Sequence, residues 1–191
     1  KQTPNDVVSV IELGKKSTLL GGIAAKVRGK QPPPGWEPKV IATLKAGAGA
    51  SGVSINRAGT LALVANRNEG TVSVFEIKGK TVTALPDKIK LGDEKSQPAA
   101  VAFSPDGKTA LVTRDGDSKI SVLSIDGTKV EHTKRDMSAG MKPYGIDIAS
   151  KGDFAVVANI GTGSGDADTV SLIDMTAQPP RIINTVSVGQ T

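Results

Sequence analysis

Three observations predict an all-β chain, a β-propeller of four-stranded antiparallel blades. One landmark order recurs three times, the connections are rich in Asp, Gly and Pro, and the apolar residues are mostly Val, Ala, Ile and Leu, with few aromatics. The anchor is Val101-Ala102-Phe103, ahead of the turn Ser104-Pro105-Asp106-Gly107. Its counterparts are Val53-Ser54-Ile55, 48 residues upstream, and Ile146-Asp147-Ile148, 45 residues downstream. Each is followed by a glycine (Gly59, Gly107, Gly152) and then by an apolar run ending at Asn66, Arg114 or Asn159. A run starting at Thr71, Lys119 or Thr169 completes the set. A period of this length suits a four-stranded blade, and the absence of a 3.6-residue apolar period excludes helical repeats.

Taken in order, residues 5–13 read as the third strand of an incomplete blade and residues 39–47 as its fourth. The expected organisation is an incomplete blade over 1–50, with a basic insertion at 14–40, and full blades over 51–97, 98–142 and 143–191. In the middle blade the strands are expected over 99–103, 109–114, 119–125 and 129–137. Pro105 pre-sets φ for the first central position of its turn, and Gly107 takes the left-handed position that closes the hairpin. The second strand is apolar nearly throughout, as expected where both faces are covered. The third alternates, with Ile120, Val122 and Ile125 set against Ser121 and Ser124. Two strands plus twelve make about three and a half blades.

The segments "ALVAN…TVSVFEI", "ALVTR…KISVLSI" and "AVVAN…TVSLID" resemble the YVTN-type β-propeller repeat. That family includes YncE-like exported proteins and is similar in fold to the lactonase-type seven-bladed propellers. The resemblance implies about seven blades, so about half the ring is expected outside this chain. The chain is therefore expected to begin before Lys1 and to continue past Thr191. The remaining blades, from missing sequence or a second fragment, are its first expected partner. Two identical copies do not close a ring, because both half-blades would be outer pairs. The resemblance also implies a periplasmic or secreted location, with any signal sequence removed or outside this chain.

Composition narrows the chemistry. The chain has no cysteine, which excludes disulfides, thiol catalysis and zinc–thiolate sites. No apolar run approaches the roughly 20 residues that span a bilayer, so no membrane insertion is expected. The net charge of +5 has a local origin. Residues 14–40 carry Lys15, Lys16, Lys26, Arg28, Lys30 and Lys39 against Glu37 alone. Lys15, Lys16, Lys26, Arg28 and Lys30 are thus candidates for holding a polyanion such as nucleic acid. The alternative is a solubilising rim loop with Trp36 packed on the blade.

In a propeller the 2–3 and 4–1 connections share one face. Asn66, Arg114 and Asn159, at the ends of the second strands, would then converge around the central funnel on that face, by family resemblance the usual place for a site. They are ligand-binding candidates, together with Asp115, Asp117 and Tyr144. Against this, each asparagine serves equally well to support its own turn, and Tyr144 to pack between blades. Arg114 breaks the pattern and is the stronger candidate for ligand contact. In the loop "GTGSGDAD", about five residues longer than its counterparts, Asp166 and Asp168 are weak candidates for Ca²⁺, since their spacing is not that of an EF-hand. No other cofactor is expected. The single histidine, His132, reads as a surface residue on an outer strand, far from any catalytic partner.

Three functions follow. The first is a non-catalytic exported propeller whose funnel face binds a small ligand or protein. The alternative is a lactonase-like hydrolase or lyase with a metal or carboxylate site in the funnel. The second alternative is nucleic-acid binding through the basic insertion.

Overall fold

The computed structural model describes residues 6–13, 38–165 and 167–190. The chain divides into two compact units, residues 8–44 and residues 1–7 with 45–191. In the smaller unit, β1 (Val7–Glu12) pairs with β2 (Lys39–Lys45) in a two-stranded sheet. Lys15, Lys16, Lys26, Arg28, Lys30 and Trp36 of the basic insertion lie outside the described residues.

The larger unit holds three antiparallel sheets, each with its strands side by side in chain order. The first comprises β3 (Ala50–Ile55), β4 (Leu61–Asn66), β5 (Thr71–Lys78) and β6 (Thr81–Ala84), with β7 (Ile89–Lys90) also on β5. The second comprises β8 (Pro98–Phe103), β9 (Thr109–Arg114), β10 (Lys119–Asp126) and β11 (Lys129–His132), with β12 (Met137–Ser138) also on β10. The third comprises β13 (Pro143–Ile148), β14 (Phe154–Asn159), β15 (Ala167–Asp174) and β16 (Arg181–Gln190). This is the blade architecture of a partial β-propeller. Among the described residues the only helical element is a single 3₁₀ turn, Glu94–Ser96, and no helix is long and apolar enough to cross a membrane.

Strand periodicity builds two cores from the one middle sheet. Val101, Ala110, Val112, Leu123 and Ile125 face the first sheet and join Leu61, Leu63 and Val74. From the same strands, Ala102, Leu111, Ile120 and Val122 face the third sheet and join Ala155, Val157 and Ile173. Successive side chains point to opposite faces, so a strand buried on both must be apolar at every position. Each large aliphatic side chain so buried contributes about 1.5–3 kcal/mol. β14 departs from that expectation. Ala155 and Val157 are buried, but Phe154 and Val156 on its other face are exposed.

Two further expectations are corrected. The fourth strand of the middle sheet is not continuous over 129–137. The Thr133 N–H and Oγ1 both donate to the Val122 carbonyl, Lys134 turns left-handed, and pairing resumes only at Met137. The first sheet breaks in the same place, where the Leu85 N–H donates to the Val74 carbonyl. The connection between β14 and β15 is shorter than expected, because Ala167 and Asp168 belong to β15 and pair with Gln190 and Gly189 of β16.

The Ser104–Gly107 turn is held by its own side chains. Asp106 Oδ1 accepts from Ser104 Oγ at 2.6 Å and from the Lys108 N–H at 3.0 Å, which together keep this carboxyl below its ordinary pKa. Gly107 has φ +72°, as the turn requires.

Candidate active site on the funnel face

In all three sheets the connection after the second strand pairs with the connection before the first. The Arg67 N–H donates to the Gly49 carbonyl, that of Asp115 to Gln97 and that of Ile160 to Lys142. The next residues repeat the pattern, with Asn68 to Ala48, Gly116 to Ser96 and Gly161 to Met141. Each first strand is therefore entered through a left-handed residue: Gly49 at φ +71°, Gln97 at +47° and Lys142 at +52°. That conformation costs a side-chain-bearing residue about 1–2 kcal/mol relative to glycine. Gln97 has a visible compensation, since its Oε1 accepts from Arg67 Nη2 at 3.0 Å. Lys142 makes no such side-chain bond among the described residues. Lys142→Gly is expected to leave urea stability unchanged or raise it by up to about 1 kcal/mol; a loss of stability would show that the lysine side chain is itself held.

The polar ends of the second strands face inward. Asn66 Oδ1 accepts from the Gly47 N–H at 3.0 Å, while Nδ2 donates to Thr71 Oγ1 and Ser73 Oγ, both at 2.9 Å. Asn159 repeats the arrangement with Thr169 and Ser171, both at 3.0 Å, although its Oδ1 is buried without a partner. These asparagines clamp their own turns.

Arg114 occupies the same place in the middle sheet. It is 4% exposed. Its guanidinium donates to both oxygens of Asp117, to Asp136 Oδ2 at 2.8 Å, to Ser121 Oγ and to the Leu91 carbonyl. The expectation that Arg114 contacts ligand is corrected by this geometry: its donors, and the carboxylate of Asp117, are spent inside the protein. His132 is likewise not a surface residue. Its side chain is 5% exposed, and Nε2 lies 2.7 Å from Asp136 Oδ1. The break in the fourth strand turns Asp136 inward to bridge His132 and Arg114.

Asp115 and Tyr144 remain. Tyr144 is half exposed at the start of β13, where its carbonyl accepts from Thr113 Oγ1 at 2.8 Å. Asp115 is 6% exposed, and its Oδ2 accepts from Arg67 Nη2 at 2.6 Å. Its Oδ1 is buried and has no hydrogen-bond partner. Arg67, Gln97 and Asp115 thus form one cluster across adjacent sheets, with Arg67 about one-third exposed. Arg67 and Gln97 escaped the reading of the sequence. Yet Arg67 and Asp115 lie 48 residues apart, the repeat distance, so opposite charges at one blade position were visible there.

Of the weak Ca²⁺ candidates, Asp166 lies outside the described residues, and Asp168 has one buried oxygen without a partner. No three His, Cys, Asp or Glu side chains among the described residues come together as a metal site.

Residues 78–188, more than half of the sequence, match the profile of the lactonase, 7-bladed beta-propeller family. The chain belongs to this family. Solved structures agree on the fold of this lactonase-family propeller. Kuenenia stuttgartiensis hydrazine synthase is 25% identical with a TM-score of 0.67, over 79% of this chain and 40% of that one. The periplasmic gluconolactonase of Pseudomonas aeruginosa is 19% identical with a TM-score of 0.65, over 96% and 49%. The β-propeller domain of Myceliophteria thermophila Cps50 (Swd1) is 16% identical with a TM-score of 0.54, over 78% and 39%. The chain spans less than half the length of each. No curated protein matches. Structures of such different proteins share this fold, which does not dictate one activity.

Proposed function

We propose that this chain contributes the funnel-face site of a lactone hydrolase, with Asp115 as general base and Arg67 and Gln97 as the groups that hold substrate oxygens. The observation that carries this reading is the state of Asp115. Among the described residues it is the one buried carboxylate, and one of its oxygens has no partner. An oxygen with no partner inside the protein leaves this carboxylate a hydrogen-bond acceptor to spare for a bound water, the geometry a general base needs. In the reaction a water oxygen adds to the lactone carbonyl, its proton passes to Asp115, the ring C–O bond breaks, and the proton leaves with the new hydroxyl. Arg67, partly in solvent, swings off Asp115 to admit substrate and offers its guanidinium to the oxyanion. Family membership and the likeness to a gluconolactonase support the same reaction class. The periplasm or extracellular space is the proposed location, supported by the likeness to the periplasmic gluconolactonase.

Glucono-δ-lactone hydrolysis, followed by pH-stat, tests the reading. Turnover above the spontaneous rate is expected, falling about 100-fold or more in Asp115→Asn with the thermal midpoint little changed. Absence of turnover in the parent chain would leave the funnel face as a non-catalytic binding surface.

A further inference from the structure

A groove lies on the opposite face, lined from the 1–2 and 3–4 connections. It runs between the second and third sheets with a volume of about 800 Å³, within the range of about 300–1,000 Å³ typical of small-molecule sites. Its apolar wall includes Val122, Met175 and Pro179. Two cations line it, Arg135 from the connection after β11 and Lys151 from the turn after β13. Neither side chain makes an ion pair or hydrogen bond among the described residues. The one carboxylate in the lining, Asp106, is turned onto Ser104 Oγ and the Lys108 N–H. The groove therefore keeps a net positive charge, with two cationic donors and no acidic partner directed at them.

The neighbouring groove supplies an internal contrast. It lies between the first and second sheets on the same face, with a volume of about 680 Å³, and shares Pro105 and Asp106. Arg57 and Lys108 there are accompanied by a second carboxylate, Asp126, besides the shared Asp106. Two similar grooves thus differ in charge.

We propose that the groove between the second and third sheets binds a small organic anion, its carboxylate or phosphate between Arg135 and Lys151 and its apolar body against Met175 and Pro179. This site is separate from the funnel-face cluster and does not depend on the hydrolase reading. A bidentate guanidinium and a lysine ammonium are the donors such a group takes.

Phenyl phosphate, benzoate and benzyl alcohol serve as probes, with binding read from amide shifts in ¹⁵N-labelled protein. Shifts are expected at Ser124, Gly152 and Gln178 with phenyl phosphate, and Gly127 of the neighbouring groove stays unmoved. Benzoate acting alike shows a general anion site, whereas phenyl phosphate alone shows one for phosphate. The double variant Arg135→Gln/Lys151→Gln, in exposed side chains, is expected to weaken phenyl phosphate binding about tenfold or more, a loss of about 1.4 kcal/mol. Equal binding of benzyl alcohol, shifts centred on Gly127, or undiminished affinity in the double variant would overturn the proposal.

Discussion

Arg114→Met lowers the stability of the chain by about 3 kcal/mol or more in urea unfolding, with the side chain's volume nearly kept. The effect comes from what is left behind. Asp117 loses both of its bonds to the guanidinium, Asp136 loses an ion pair at 2.8 Å, and the Leu91 carbonyl loses a donor in a buried setting. Breaking a buried pair by removing one partner strands the other charge, which costs more than the pair itself contributed. The pH dependence provides a second reading of the same network. Burial raises the Asp136 carboxyl, but hydrogen bonds from His132 and Ser121 and the charges of His132 and Arg114 outweigh it, so its pKa lies below the ordinary 3.8. A group whose folded pKa is depressed stabilises the fold fully above its unfolded pKa, and that contribution is lost as pH falls through the folded one. The parent chain is therefore expected to lose stability in acid more steeply than Arg114→Met. Equal acid slopes, or a stability loss below about 1 kcal/mol, would mean that the network adds little.

Gly70→Val is expected to cost about 3 kcal/mol or more. Gly70 ends the connection between β4 and β5 at φ +67°, a conformation that a β-branched residue pays heavily to adopt. A Cβ built there falls 2.1 Å from the Asp93 carbonyl oxygen and 2.8 Å from that of Gly92. Both neighbours are backbone, so no side chain can swing aside. The Gly70 carbonyl also accepts from the N–H groups of Leu91 and Gly92, so any shift breaks bonds that join the first sheet to the next connection. Gly59→Val is the control, because that glycine has a similar φ of +69° and open space around it. Circular dichroism melts of the two variants separate strain from collision: Gly70→Val should fall well below Gly59→Val, and equal losses would leave backbone strain as the whole cause.

Much of the fold was legible because strand physics is local. Alternation, turn chemistry and a repeat near 48 residues depend on near neighbours, and they placed β8, β9 and β10 within a residue or two of where they lie. The breaks after β6 and β11 were not legible. They depend on one N–H reaching the carbonyl of a facing strand, as Thr133 does to Val122, and on a left-handed Lys134 that no local rule demands. The candidate site was legible in position but not in roles. A polar residue at the end of each second strand was visible, but whether it looks outward or inward was not. Thr71 and Ser73 claim Asn66, and Thr169 and Ser171 claim Asn159. Lys119 stands where Thr71 does in the repeat, and Arg114 is claimed by Asp117 and Asp136 instead.

The sequence by itself determined that this is a propeller chain with its turn glycines on one face and its variable loops on the other. Period-2 patterning and φ-restricted turn residues act over a few positions and need no distant partner. Only the tertiary structure decided that Arg114 is a buried clamp, that His132 is covered, and that the buried Asp115 meets the partly exposed Arg67 and Gln97. Those outcomes depend on which donors and acceptors meet across sheets tens of residues apart. Burial makes most such groups find a partner, and which one they find is set by what lies across the sheets, with Asp115 Oδ1 left over as an exception.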